Sequence, residues 1–162
     1  MNRWLQTYLG IWISLILALG LTVIALPQTL QYYRPDWVAL ASIYWSLALP
    51  RRFGPGSAWI SGLLMDALTG TLLGQHALAL AVLSYLGIRF HQQIRLQPLW
   101  QQTLSIGILL AIYRLLVLWI YGVAEQPPAT VAYWYPLMSD LLFWPIIYLL
   151  LRGLRRGLKM AQ

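Results

Sequence analysis

Six apolar runs divide the chain, at 8–26, 37–49, 57–73, 76–90, 99–121 and 131–151, with short polar turns between them. Each run is continuously apolar rather than alternating, and most are too long for a strand, so the pattern predicts helices. The longest reach the roughly 20 apolar residues that a bilayer crossing requires. The first ends at Pro27; the second starts after Pro35 and stops at Pro50, which leaves it short for a full crossing unless its flanks contribute. The second and fourth are the weakest, and five spans with one re-entrant segment is the alternative arrangement. The reading is an all-α, polytopic membrane protein with about six transmembrane helices, formed by 1–162 as a single membrane domain. Every loop is about ten residues or fewer, too short to fold separately.

One run departs from the uniform apolar pattern. Positions 58, 62, 66, 70 and 74 read Ala, Gly, Asp, Gly and Gly. On a helix this four-residue spacing makes a slowly drifting ridge of small side chains with a carboxylate in its middle. Leu64, Leu68 and Leu72 fall on the opposite side and suit lipid. Small residues let another backbone approach, and an intramembrane carboxylate must face protein or water. Ala58, Gly62, Asp66, Gly70 and Gly74 are therefore expected to form a contact face for a partner or a neighbouring helix.

Composition agrees with the membrane reading: 60% of residues are hydrophobic and 9% charged. A soluble domain of this size needs far more surface charge. Cysteine is absent, which excludes disulfides, thiolate metal sites and cysteine nucleophiles. The net charge of +7 resembles a nucleic-acid signature until its placement is considered. With six spans, Arg3, Arg51, Arg52, Arg89, Arg95, Arg152, Arg155, Arg156 and Lys159 share one side, and only Arg34 lies opposite. That asymmetry places both termini in the cytoplasm and makes the basic tail a topology anchor. No small-residue cleavage motif follows the first run, which is expected to remain as a signal anchor.

Asp66, Arg114 and Asp140 lie within the spans, each costing roughly 2.5–3.5 kcal/mol on insertion scales. At ~1.5 Å per residue, all three sit on the order of 10–14 Å from the proposed outer boundary. Arg114 and Asp140 occupy consecutive antiparallel helices and are expected to pair, fixing helix packing or lining a polar cavity. Pro136 and Pro145 interrupt the last span and free backbone carbonyls. Catalytic motifs are missing: no zinc-binding histidine pair, nucleophile elbow or phosphate loop occurs. His76 and His91 fall at opposite faces and cannot share a metal. The expectation is a protein that is not an enzyme, with no catalytic, cofactor-binding or metal-binding residue.

Tyr33-Arg34-Pro35-Asp36-Trp37 and Tyr44-Trp45-Ser46-Leu47-Ala48-Leu49-Pro50, then Gly62 through Asp66 to Gly70 and Leu73-Gly74, resemble in order and spacing the rod shape-determining protein MreD family. Leu99-Trp100-Gln101-Gln102 and the short basic tail extend the resemblance over nearly the whole chain. It makes Arg34, Pro35 and Asp36 a family-like loop motif, while Arg114 and Asp140 match no family motif. The resemblance implies a fold similar to the membrane substrate-binding subunits of energy-coupling vitamin transporters. It also implies a non-enzymatic component of the bacterial inner membrane that scaffolds MreC and lateral peptidoglycan synthesis. MreB, RodA and penicillin-binding protein 2 would belong to the same complex, with membrane lipid around it and no nucleic acid. The rival function is a substrate-binding membrane subunit of a small-molecule or lipid transporter, with Asp66, Arg114 and Asp140 lining its site.

Overall fold

A computed structural model describes residues 3–125 and 131–157, and all regular structure within them is helical. In order these are α1 (Arg3–Val23), the single turn α2 (Gln28–Gln31), α3 (Trp37–Ala48), α4 (Pro55–Thr69), α5 (Gln75–Leu96), α6 (Leu99–Val123), a 3-10 turn (Val131–Trp134) and α7 (Tyr135–Gly157). The chain is an all-α membrane protein. Among the described residues, α1, α6 and the segment Val131–Gly157 are each long and apolar enough to cross a bilayer. Lys159, counted among the basic residues above, lies outside the described residues.

α3 is the centre of the bundle. Every residue from Val38 to Ala48 is buried, and α1, α4, α5 and α7 all pack against this helix. Its 12 residues rise only ~18 Å, well under a bilayer's hydrocarbon thickness. Surrounded by protein, α3 does not need to match that thickness, which explains why the second apolar run is so short. Trp45 and Ser46 are bonded within the core: the Trp45 indole N–H donates to Ser14 Oγ at 2.8 Å, and Ser14 Oγ donates to the Ile11 carbonyl at 2.7 Å. The hydroxyls of Ser46 and Ser84 meet at 2.8 Å, joining α3 to α5. Gly87 permits that approach, since a Cβ there would lie 2.6 Å from Ile43 Cδ1.

The outward faces are apolar. Met138, Leu142, Ile146 and Leu150 form an exposed stripe on α7, and Ile13, Ile16 and Leu17 are exposed on α1. Pro136 occupies the second position of α7, where a missing N–H breaks no helical hydrogen bond. Only Pro145 stands inside the helix, so the expected pair of interruptions reduces to one.

α4 and α5 form a tight antiparallel hairpin. A Cβ at Gly62 would overlap the backbone of His76 and Ala77, so hydrogen at this position is what lets the helices meet. Backbone cannot yield as a flexible side chain can. Gly62→Ala is therefore expected to destabilise the fold by about 1–3 kcal/mol. Thermal unfolding of the detergent-solubilised protein measures this, with Gly56→Ala as a control because nothing lies within 4 Å of a Cβ there.

The antiparallel order gives the bundle two dissimilar ends. The start of α1 meets the end of α3 at one of them, where Arg52 donates to Thr7 Oγ1 at 2.6 Å and lies 4.7 Å from the Trp4 ring centroid. The ends of α5 and α7 place Arg95, Arg152 and Arg155 there too. The chain's four acidic residues, Asp36, Asp66, Glu125 and Asp140, all lie toward the opposite end.

Candidate functional site

Asp66 connects two helix ends. Its main-chain carbonyl accepts from the N–H groups of Gly70 and Thr71, closing α4 with Gly70 in the left-handed conformation at φ 69°. Its side chain reaches across the turn to the start of α5. Oδ1 accepts from the Thr71 hydroxyl at 2.9 Å and from His76 Nδ1–H at 2.7 Å. The His76 N–H is shared between the two oxygens at 3.1 and 3.2 Å, and Oδ2 also takes Gly74 N–H at 2.9 Å and Ala77 N–H at 3.4 Å. A helix start leaves its first N–H groups unpaired, and α5 has Gly74 as its N-cap residue, with no side chain to satisfy them. Asp66 supplies that cap from another helix. A carboxylate accepts at about four lone-pair positions, and this one is fully occupied.

The small-residue ridge is likewise taken up within the chain. Ala58, Gly62 and Asp66 are buried, and the hairpin contact at Gly62 is with α5. Gly70 and Gly74 have left the helical face: they bracket the turn at φ 69° and 100°, conformations that disfavour other residues. Of the two occupants expected for this face, a partner or a neighbouring helix, it is the neighbouring helix α5 that packs against Gly62. Small residues mark a close backbone approach without saying whose backbone approaches.

The second cluster joins α3, α6 and α7. Arg114 Nη2 donates to Asp36 Oδ2 at 2.6 Å, and Nη1 donates to the Tyr133 carbonyl at 2.8 Å. The Tyr133 hydroxyl returns a bond to the Arg114 carbonyl at 2.7 Å, and its ring centroid lies 5.3 Å from the guanidinium carbon. Asp140 Oδ1 accepts the Asp36 N–H at 2.7 Å. Arg114 and Asp140 therefore do not bond each other, contrary to the pairing expected from depth: Asp36 stands between them. It is the N-cap residue of α3, yet its side chain makes no cap bond and is directed to Arg114. Asp140 in turn takes the N–H that Asp36 presents just before α3.

Arg34 and Pro35 complete this corner. Pro35 is buried, and Arg34 donates through Nη1 to the Thr22 carbonyl near the end of α1. Tyr33 stacks on Tyr135 with ring centroids 5.2 Å apart. The two clusters are neighbours: His76 and Tyr113 lie 6.4 Å apart, and Tyr113 precedes Arg114. His76, Thr71 and Tyr133 are the participants that sequence reasoning did not assign. The sequence places His76 at a membrane face, but its partner ten residues earlier carries no periodic signal. His91 lies near the far end of α5, its Nδ1 beside the Ile88 carbonyl.

These bonds hold charges in place and leave the Asp66 carboxylate no free acceptor site. Over residues 2–154 the chain matches the sequence model of rod shape-determining protein MreD. It belongs to the MreD family. The rod shape-determining protein MreD of Haemophilus influenzae is 29% identical over 162 residues, with 98% of each chain covered. No solved structure matches the chain. Two of the stretches that carry the MreD resemblance, Arg34-Pro35-Asp36 and Gly62 to Gly74, contribute to these clusters, which Arg114, Tyr133, Asp140 and His76 complete.

Proposed function

We propose that this MreD-family chain is a non-catalytic scaffold of the bacterial rod complex. It sits in the inner membrane with both termini in the cytoplasm and holds MreC directly, in a complex with MreB, RodA and penicillin-binding protein 2. The observation that carries this reading is that Asp66 and Arg114 make their polar bonds inside the chain. What remains for a partner in the membrane is apolar helix surface, the surface on which another transmembrane helix packs by van der Waals contact. The arginine-rich end supports the orientation, because cytoplasmic loops carry the excess of basic residues.

With the small-residue ridge filled by α5, a partner helix is assigned to outward faces such as the α7 stripe of Met138, Leu142, Ile146 and Leu150. The test is capture of tagged full-length protein from native membranes, with identification of the chains that accompany it. MreC recovered in near-equal amount is the expected result, reduced when Leu142 and Ile146 are exchanged together for bulkier tryptophan. Recovery of an ATPase pair without MreC would overturn the scaffold in favour of a transporter subunit.

A further inference from the structure

Two adjoining cavities open at the basic end of the bundle. One, of about 180 Å³, is framed by Arg95, Arg152 and Arg155 over the rings of Tyr44 and Tyr148. The other, of about 490 Å³, is framed by Arg51, Arg52 and again Arg95, beside Trp4 and Tyr8. Ala48 and Arg95 line both, so five guanidinium groups surround a cleft made of two adjoining cavities.

No acidic side chain faces them. The four carboxylates of the chain all lie toward the other end, and α5, which runs between the two ends, is ~30 Å long. Arg95 and Arg155 sit in the last turns of α5 and α7, where the helix dipole favours a cation. That accounts for a positive charge at each helix end, but not for five converging on one concavity. Two of them are held in place: Arg52 by Thr7 and Trp4, and Arg152 at 5.9 Å from the Tyr148 ring centroid. Guanidinium groups held around a hollow form a fork geometry that suits phosphate oxygens. The rim is amphipathic: Trp4, Tyr8, Leu96 and Trp100 are exposed at this end, a composition that sits at the headgroup level of a bilayer.

We propose that this cleft binds the phosphate of an anionic phospholipid of the phosphatidylglycerol or cardiolipin type, with the acyl chains lying along the apolar faces beside it. Basic pockets between transmembrane helices recognise such headgroups through charge-assisted hydrogen bonds. The site is independent of which protein partner the chain holds.

Native mass spectrometry of the full-length protein in detergent, with equimolar phosphatidylglycerol and phosphatidylcholine, tests the site. Phosphatidylglycerol is expected to be retained over phosphatidylcholine by about tenfold, and Arg155→Gln or Arg95→Gln to reduce its retention about tenfold. Arg156→Gln removes the same charge one residue away, at an exposed position outside the cleft, and is expected to leave retention unchanged. Equal loss in Arg156→Gln would overturn the site in favour of diffuse surface charge. Two arms need no variant: lack of lipid preference in the unaltered protein overturns the proposal, and displacement by millimolar inorganic phosphate overturns the lipid as its ligand. Resistance to phosphate with clear lipid preference supports it.

Discussion

Replacing Asp66 with alanine is expected to cost about 3–5 kcal/mol of folding stability, the range for removing one member of a buried, hydrogen-bonded charge network. The carboxylate receives Thr71 Oγ1–H, His76 Nδ1–H and the backbone N–H groups of Gly74, His76 and Ala77. Its loss leaves donors at the start of α5 without their acceptor, each costing roughly 1–3 kcal/mol where it stays buried and unmade. Asp66→Asn keeps one carbonyl acceptor and should fall between the unaltered protein and the alanine variant. His76→Ala removes one side-chain donor and leaves the backbone bonds, so its cost should be the smallest of the three. Denaturant or thermal unfolding in one detergent ranks them. A cost for His76→Ala equal to that for Asp66→Ala would show that the imidazole hydrogen bond, rather than the cap, holds the hairpin.

Breaking the Asp36–Arg114 pair from either side should be severe, and removing both members should cost less than the two losses added together. Asp36→Asn and Arg114→Met each leave a buried charge facing a missing partner, at an expected ~3–5 kcal/mol apiece. The double variant restores the cluster's charge balance, because one negative and one positive group leave together. It also keeps the Asp36 backbone N–H on Asp140 Oδ1, since that bond does not depend on the side chain at 36. The cost of the double variant is therefore expected to fall below the sum of the singles by about 2–3 kcal/mol, measured as a double-mutant cycle on unfolding free energy. Simple additivity would mean that the 2.6 Å contact contributes nothing to stability.

Helix positions were legible because bilayer and core both demand long apolar runs, and the turns are marked by Pro27, Pro35, Pro50 and Pro98. The first helix starts earlier than its apolar run because Arg3 to Thr7 continue it at the polar margin. What hydropathy could not give is lateral order. Arg114 and Asp140 match in depth, but which acidic residue Arg114 meets depends on where the segment leading into α3 is placed against α6 and α7. Asp36 looked like a loop residue beside Pro35, yet that loop ends inside the bundle. The spacing 58–62–66 signals a close backbone approach without naming the helix that makes it, and in the structure the backbone nearest Gly62 is that of His76 and Ala77. Asp66 itself escaped assignment as a cap because capping rules search the residue beside the helix, and here that residue is Gly74.

On the proposed scaffold function, the intramembrane charges of this MreD-family chain organise its own helices and take no part in meeting a partner. Rescue of rod shape in cells lacking their own MreD, scored as cell width at matched levels of folded membrane protein, tests it with the Asp36→Asn, Arg114→Met double variant. Rods of normal width are expected. Round cells, despite a folded and inserted double variant, would contradict it and give the charges a functional role beyond architecture.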